Sequence, residues 1–223
     1  MIRHRLILAT LLLLASSRPV AAQNAREFDI VVYGGTSGGV IAAVQATAMG
    51  KTVVLVEPGK HLGGLTSGGL GATDIGNKGA IGGLSREFYR RVGEYYSQPA
   101  AWKFQQREAY KSSRQAGEGE MWTFEPHVAE LIYRRWVEAA KVPVIYGERL
   151  DLKAGVIKNG NLITSIRMES GLSLRGKVFI DATYEGDLMA LAGVAFHVGR
   201  EANSVYGETL NGVQVAHAVR GID

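Results

Sequence analysis

Residues 28–39 of the chain read FDIVVYGGTSGG. The first six residues, rich in β-branched and aromatic side chains, are typical of a strand buried in a parallel sheet. The last six form a glycine-rich turn, and glycine lets a ligand approach backbone N–H groups that a side chain would cover. This stretch therefore predicts a strand that ends at a binding turn.

The residues after the turn complete a βαβ unit. Apolar residues between positions 40 and 48 recur at the spacing of a helix face, and Gly50 is placed to end that helix. The segment Lys51–Val56 is a second apolar strand, and Glu57 follows it, 23 positions after Gly34. In a dinucleotide-binding unit the pyrophosphate lies at the helix N-terminus, where unpaired N–H donors and the helix dipole attract an anion. The acid after the second strand binds ribose hydroxyls, and the spacing predicts that role for Glu57.

One position departs from the general G-x-G-x-x-G pattern, because Thr36 stands where the second glycine is expected. An ordinary structural turn in front of a βαβ helix is the alternative interpretation. The chain has 29 glycines, fifteen of them between positions 34 and 83, and leucines recur among them in residues 59–71. We predict a backbone surface laid along a long, flat, phosphate-bearing ligand, with a flexible loop as the alternative.

Composition excludes several other classes of protein. A chain of 223 residues with 46% hydrophobic and 21% charged residues is long and apolar enough for a globular domain. It has no cysteine, which excludes a disulfide scaffold, a thiolate zinc site, a cysteine-ligated iron–sulfur cluster and a cysteine nucleophile. No metal site, Ser-His-Asp triad or carboxylate pair has convincing spacing.

The N-terminal segment has the pattern of a secretory signal peptide. Arg3 and Arg5 precede the apolar run Leu6–Ala15, and small residues close the segment at Ala22. The run is too short to span a bilayer, although a membrane anchor is the alternative. We expect residues 1–22 to be cleaved after Ala22, which leaves an exported protein, periplasmic or extracellular, without a stable membrane anchor.

The charge balance follows from this segment. It holds three of the 25 basic residues and none of the 21 acidic ones, so its removal reduces the formal charge from +4 to +1. No basic patch interleaved with aromatic residues remains, and we expect no nucleic-acid partner. Nothing in the sequence decides the oligomeric state.

Further motifs occur in the order found in a known family. They are HLGGLTSGGL at 61–70, IGGLSREFY at 81–89, WTFEPHVAE at 122–130 and IDATYEGDL at 180–188, with VVYGGTSGG at 31–39 and VEPG at 56–59. Over essentially all of residues 27–215 the chain resembles the exported bacterial FAD-dependent oxidoreductases of the glutathione-reductase-like flavoprotein fold. The resemblance implies an α/β fold: a Rossmann-like FAD/NAD(P)-binding domain with a parallel central sheet, covering helices and an antiparallel β-meander.

The same resemblance implies FAD as cofactor, a small-molecule substrate and hydride transfer between that substrate and the flavin. Residues at six places would contact FAD: the turn at the pyrophosphate, the acid at the ribose, a glycine pair along the dinucleotide, a segment beside the flavin ring, a backbone contact to adenine, and a closing segment where Tyr184 replaces a usual glycine. In that order they are Gly34, Gly35, Thr36, Ser37, Gly38 and Gly39; Glu57; Gly63 and Gly64; Thr66, Ser67 and Gly68; Leu150; Ala182 and Thr183.

The rest of the chain gives elements but no acid or base for catalysis. We expect three helices: one over 85–96, one that begins at Pro126 and one that ends at Ala192. A strand over 142–146 should extend the parallel sheet, and another over 177–180 should be buried. Strands 150–157 and 162–168 should form an antiparallel meander on the far side of the sheet. Residues 97–121 read as a polar insert over the core. His127 is interpreted as a capping or core residue, with a ligand-facing residue as the alternative. Asp187 is interpreted as a helix N-cap, with a ribose contact as the alternative. His61 stands nearer the expected flavin, and a role as catalytic acid or base is the less favoured interpretation.

The domain prediction is an FAD-binding domain over residues 27–200, with 201–223 as the start of a continuation. Nothing in the sequence supplies the substrate domain that flavoproteins of this fold carry later in the chain. We therefore expect the N-terminal part of a longer enzyme or a truncated gene product. Two alternatives are a non-catalytic remnant of a dinucleotide fold and an NAD-dependent dehydrogenase, against which the glycine run 63–71 argues.

Overall fold

The computed structural model describes residues 26–71, 76–110 and 119–212. The predicted signal peptide and the end of the predicted continuation, 213–223, lie outside the described residues. Strands are β1 Arg26–Tyr33, β2 Val53–Glu57, β3 Val144–Tyr146, β4 Val156–Asn159, β5 Leu162–Arg167 and β6 Ser173–Asp181. Helices are α1 Ser37–Ala48, α2 Gly83–Tyr96, α3 Pro126–Ala139, α4 Asp187–Leu191 and α5 Asn203–Tyr206, with short 3₁₀ turns at Gly64–Thr66, Lys78–Ala80, Pro99–Ala101 and Arg107–Ala109.

One six-stranded sheet organises these elements, in the order β3-β2-β1-β6-β5-β4. β1 lies between β2 and β6 and pairs in parallel with both, so that Ile30 is opposite Val53 on one side and Val178 on the other. β3 extends the parallel part beyond β2, as predicted. The α/β fold with a parallel central sheet is confirmed.

The antiparallel meander is present and is continuous with this sheet. β4 pairs antiparallel with β5 and β5 with the start of β6, whose later residues pair with β1. Ile166 and Leu174 of the meander are fully buried in one cluster with Val31 and Val54 of the parallel strands. The meander therefore extends the parallel sheet and contributes to the apolar cluster on one of its faces.

The predicted strand 150–157 is wrong over most of its length. Leu150 forms only an isolated bridge with Met168, and residues 152–154 form a turn. The Asp151 carboxylate accepts hydrogen bonds from the N–H groups of Lys153 (2.9 Å) and Ala154 (3.3 Å). This local Asx-type bonding competes with strand pairing, so β4 begins only at Val156.

The helices cover the opposite face of the parallel strands. α1 packs on β1 and β2, and α3 packs between α1 and α2. Trp136 is buried in that cluster, and the rings of Phe88 and Tyr133 stack at 4.8 Å between centroids. Within the described ranges no helix is both long and apolar enough to cross a membrane.

Candidate functional site

The glycine turn is held to the end of β6 through the residue that departs from the glycine pattern. The hydroxyl of Thr36 accepts a hydrogen bond from the Gly39 N–H at 3.2 Å, which caps α1, and donates one to the Ala182 carbonyl at 2.7 Å. Gly34 has φ +104°, and a Cβ there would lie 2.8 Å from the Ala182 carbonyl carbon and the Thr183 nitrogen. The backbone of residues 182–183 thus packs directly against the glycine turn, with no room for a Cβ at Gly34.

Glu57 lies at the end of β2, beneath the same turn. One carboxylate oxygen accepts the Gly35 N–H at 2.6 Å and the other accepts the Gly59 N–H at 2.6 Å. A carboxylate offers about four acceptor sites, so these two bonds leave capacity for two hydroxyl donors. Glu57 therefore fixes the turn and still has the chemistry to bind a ribose.

The second glycine-rich segment docks on the first. The Gly63 N–H donates to the Gly35 carbonyl at 2.7 Å, and Gly63 forms a parallel bridge with Thr36. Leu62 is fully buried, and Gly63 has φ +107° with its α-carbon against the Tyr133 ring. This part of the segment is anchored backbone rather than a flexible loop.

Tyr184 reaches across from the end of β6 to the same segment. Its hydroxyl accepts the Leu65 N–H at 2.8 Å, and its ring lies so close to Gly64 that a Cβ there would collide with it. The side chain remains 59% exposed. The sequence showed that Tyr184 replaces a glycine, but it did not show this contact, since 119 positions separate the bonded residues.

These segments border a cleft of about 890 Å³, which is within the size range of small-molecule sites. Eight of the predicted residues line it: Gly34, Thr36, Glu57, Gly64, Ser67, Gly68, Leu150 and Thr183. The other seven, Gly35, Ser37, Gly38, Gly39, Gly63, Thr66 and Ala182, lie outside its lining, and several of them form the backing of the turn. Further lining residues that the sequence did not single out include Pro58, Arg149 and Glu169.

At Leu150, where the resemblance implies a backbone contact to adenine, the N–H has a partner inside the protein. The buried Tyr33 hydroxyl, at the end of β1, accepts the Leu150 N–H at 3.0 Å. Burial raises the pKa of Tyr33 above its usual value, so the hydroxyl stays protonated at neutral pH. Leu150 lines the cleft, but its N–H is a structural donor to Tyr33.

The segment after β6 is organised by Asp181 rather than by Asp187. One Asp181 oxygen accepts the N–H (3.0 Å) and hydroxyl (2.7 Å) of Thr183, and the other accepts the Met189 N–H in the first turn of α4 at 2.9 Å. The N-cap position belongs to Gly186, which has φ +72°. The predicted N-cap role of Asp187 is therefore wrong, because the preceding strand already supplies the carboxylate that caps this helix.

Two histidines line the cleft. His127 is exposed in the first turn of α3, so the prediction of a capping or core role is wrong. His61 is 78% exposed, and its Nδ1 lies 3.0 Å from Glu130, which also binds Arg134 at 2.5 Å. Burial acts to raise the pKa of Glu130, but the hydrogen bonds from His61 and Arg134 outweigh it and hold that pKa below its usual value. In the described part of the chain, no three His, Asp or Glu residues are grouped to hold a metal ion.

The geometry fits a dinucleotide. The N-terminus of α1, with its glycines, faces the ends of β1 and β6, and a Cβ at Gly34 or Gly39 would meet backbone atoms at 2.8 or 1.9 Å. The carboxylate of Glu57 stands on one side of that helix terminus and the docked 63–68 segment on another. The glycine turn, Glu57 and part of the 63–68 segment thus border one cleft.

Several solved enzyme structures have a similar fold. An L-proline dehydrogenase from P. horikoshii is 14% identical, with a TM-score of 0.53, covering 79% of this chain and 59% of that chain. An L-amino acid deaminase from Proteus vulgaris is 13% identical, with a TM-score of 0.50 and coverage of 79% and 58%. The flavin-dependent brominase Bmp2 is 17% identical, with a TM-score of 0.51 and coverage of 78% and 42%. At these identities the likeness concerns the fold, and the chain spans less than two thirds of each.

Sequence comparison gives the family. No curated protein matches the chain. The family profile described as FAD dependent oxidoreductase matches residues 29–223, which include the glycine turn, Glu57 and the whole described sheet from β1 to β6 apart from its first residues. The chain belongs to the FAD dependent oxidoreductase family.

Proposed function

We propose that the chain binds FAD in the cleft and serves in hydride transfer between a small organic substrate and that flavin. The observation that carries this proposal is the meeting of three segments, Gly34–Gly39, Glu57 and 63–68, at the carboxyl ends of β1 and β2. β1 has parallel neighbours on both sides, and open α/β sheets bind nucleotides in the crevice at such a point.

Each segment has a stated part in this proposal. The N-terminus of α1 binds the pyrophosphate, Glu57 binds the ribose of the adenosine, and the anchored 63–68 backbone orients the ring end. Bound FAD supplies the two-electron chemistry, while the protein provides binding, orientation and exclusion of water. Tyr184 and Thr183 line the cleft on the side of β6.

The visible spectrum of the purified full chain tests the proposal. We expect the absorbance bands of oxidised flavin after reconstitution with FAD, and bleaching of those bands by a chemical reductant. Glu57→Gln should bind FAD less tightly, because a neutral amide is a weaker acceptor for ribose hydroxyls than a carboxylate. Glu138→Gln, an exposed change far along α3, is the matched control. A folded chain that stays colourless with excess FAD would rule the proposal out.

The domain and export predictions form part of the same proposal. The FAD-binding domain would comprise residues 27–200, with 201–223 as the start of a further part of the enzyme. Export would remove residues 1–22, and mature protein from the periplasm or medium would then begin at Gln23. An intact Met1 on exported protein, measured by mass spectrometry, would contradict the cleavage.

A further inference from the structure

A second cavity lies beyond the glycine-rich segment. It has a volume of about 280 Å³ and we call it the aromatic pocket, after the rings of Tyr96, Trp102, Phe104, Tyr110 and Phe124 in its lining. The ring centroid of Trp102 lies 5.4 Å from those of both Tyr96 and Tyr110, with interplanar angles of 55° and 52°. Several aromatic rings therefore border one small volume.

Among the residues that the structure describes, one carboxylate borders this pocket. Glu125 lies at the N-cap position of α3, where the helix dipole stabilises a negative charge. Its carboxylate accepts a hydrogen bond from the Tyr96 hydroxyl at 2.9 Å, and its N–H donates to the same hydroxyl at 3.0 Å. The backbone of Tyr96 in turn accepts the Trp102 indole N–H at 2.8 Å, so the carboxylate and the rings are fixed relative to one another. Lys103 also borders the pocket, with an exposed side chain in water.

The aromatic pocket is next to the cleft proposed for FAD. Gly69 and Pro126 line the cleft, whereas Gly71 and Glu125, two and one positions away, line the pocket. The two chain segments are joined where the Phe124 N–H donates to the Gly71 carbonyl at 3.0 Å. Neighbours in sequence lie under about 4 Å apart between α-carbons, so the cavities share this wall.

We propose that the aromatic pocket binds the alkylated ammonium group of the substrate. Aromatic faces attract a cation through their quadrupole, most strongly when it bears alkyl groups that also gain from leaving water. The Glu125 carboxylate in the lining would balance the charge of the ammonium group. The inference rests on the proposed function, since it names the substrate class as an amine whose oxidised carbon lies on the cleft side of the shared wall.

Choline and its neutral analogue 3,3-dimethyl-1-butanol have nearly the same shape and differ in charge, so they separate cation binding from apolar binding. Titration calorimetry on the FAD-treated full chain should show choline bound at least about tenfold more tightly than the analogue. Glu125→Gln, which keeps an acceptor for Tyr96, should weaken choline binding about fivefold to tenfold, and Trp102→Leu should weaken it as well. The control Glu138→Gln, at the other end of α3, should leave it unchanged.

Equal binding of the two probes, no choline binding, or indifference to Glu125→Gln would each overturn the inference. Preferred binding of a neutral sugar would do so too. Flavin absorbance recorded on the same samples keeps the two proposals apart. Flavin bands without choline binding reject only the ammonium site, whereas selective choline binding by a colourless chain supports that site and rejects the proposed FAD function.

Discussion

Gly38 and Gly39 stand next to each other in the turn, yet the structure needs only one of them to be glycine. A Cβ at Gly38 would have Thr36 as its nearest neighbour, at an ordinary 3.7 Å, whereas one at Gly39 would lie 1.9 Å from the Gly34 carbonyl oxygen. Sequence spacing already marks Gly34 and Gly39 as the essential glycines. It cannot show what the threonine at the second expected glycine contributes, because the Thr36 hydroxyl bonds to Ala182, 146 positions later.

Alanine at these two positions should have opposite effects. Gly39→Ala should lower the free energy of unfolding by about 2–3 kcal/mol, since the backbone of Gly34 must move. Gly38→Ala should leave it unchanged or raise it by up to about 1 kcal/mol, because alanine is the better helix former. Urea unfolding measures both, and equal destabilisation by the two variants would contradict the contact geometry.

Removal of the Tyr33 hydroxyl, a single oxygen atom, should clearly lower the free energy of unfolding. Tyr33→Phe leaves the buried Leu150 N–H without its acceptor, and we expect a loss of about 1–3 kcal/mol in unfolding free energy. Tyr146→Phe is the control, because that hydroxyl bonds an exposed arginine, Arg134, and water can replace it. Chemical unfolding that ranks Tyr146→Phe as the more harmful change would refute the role of Tyr33.

Elements with a regular spacing of apolar residues were predictable from sequence, whereas element ends set by hydrogen bonds from nearby side chains were not. α3 begins at Pro126 as predicted, because proline fits the first helical position and the apolar stripe follows at helical spacing. The strand expected from Leu150 fails because Asp151 forms a turn that the apolar pattern does not reveal. The start of α4 likewise depends on Asp181, a carboxylate that belongs to the preceding strand.

Helix α2 contains a charge cluster with a clear pH dependence. Hydrogen bonds from Arg90 and then Arg91 lower the pKa of Glu87 from 4.5 to about 2. A carboxyl with a lowered pKa in the folded state stabilises the protein above its unfolded pKa, and this contribution is lost as the pH falls from about 4.5 to about 2. Glu87→Gln should therefore reduce the loss of stability between pH 6 and pH 2.5, by at most about 1 kcal/mol for these partly exposed pairs.

Thermal unfolding as a function of pH measures this difference. Glu94→Gln on the same helix is the control, because Glu94 is 66% exposed and its contact with Arg90 is 3.8 Å long. Its stability profile should follow that of the unchanged chain. If Glu87→Gln and the unchanged chain lose stability in parallel below pH 4.5, the bonds to Arg90 and Arg91 do not persist in solution.

At the scale of the whole molecule, the cleft draws on six separate stretches of chain, near positions 34, 60, 127, 150, 169 and 184. The glycine turn and Glu57 could be placed from sequence because one βαβ unit carries both of them. The contributions of His127, Arg149 and Tyr184 depend on the order of strands in the sheet, which brings the ends of β1 and β2 and the segment after β6 to one edge. Such long-range neighbours have no fixed spacing in the sequence.

β1 contributes residues to both hydrophobic clusters, and its end lines the cleft. A ligand bound in the cleft should therefore stabilise the whole domain. Free FAD at about 100 times its dissociation constant adds roughly 2.7 kcal/mol to the free energy of unfolding. For a domain of this size that raises the unfolding midpoint by roughly 5–10 °C. The rise should be smaller for Glu57→Gln, each variant being compared with its own ligand-free midpoint, and unchanged for Glu138→Gln. NAD is the competing ligand, because both dinucleotides present the same pyrophosphate and adenosine ribose. They differ at the ring end, which the 63–68 segment borders. A higher unfolding midpoint with NAD and an unchanged midpoint with FAD would show that the chain is a dehydrogenase of the other cofactor class.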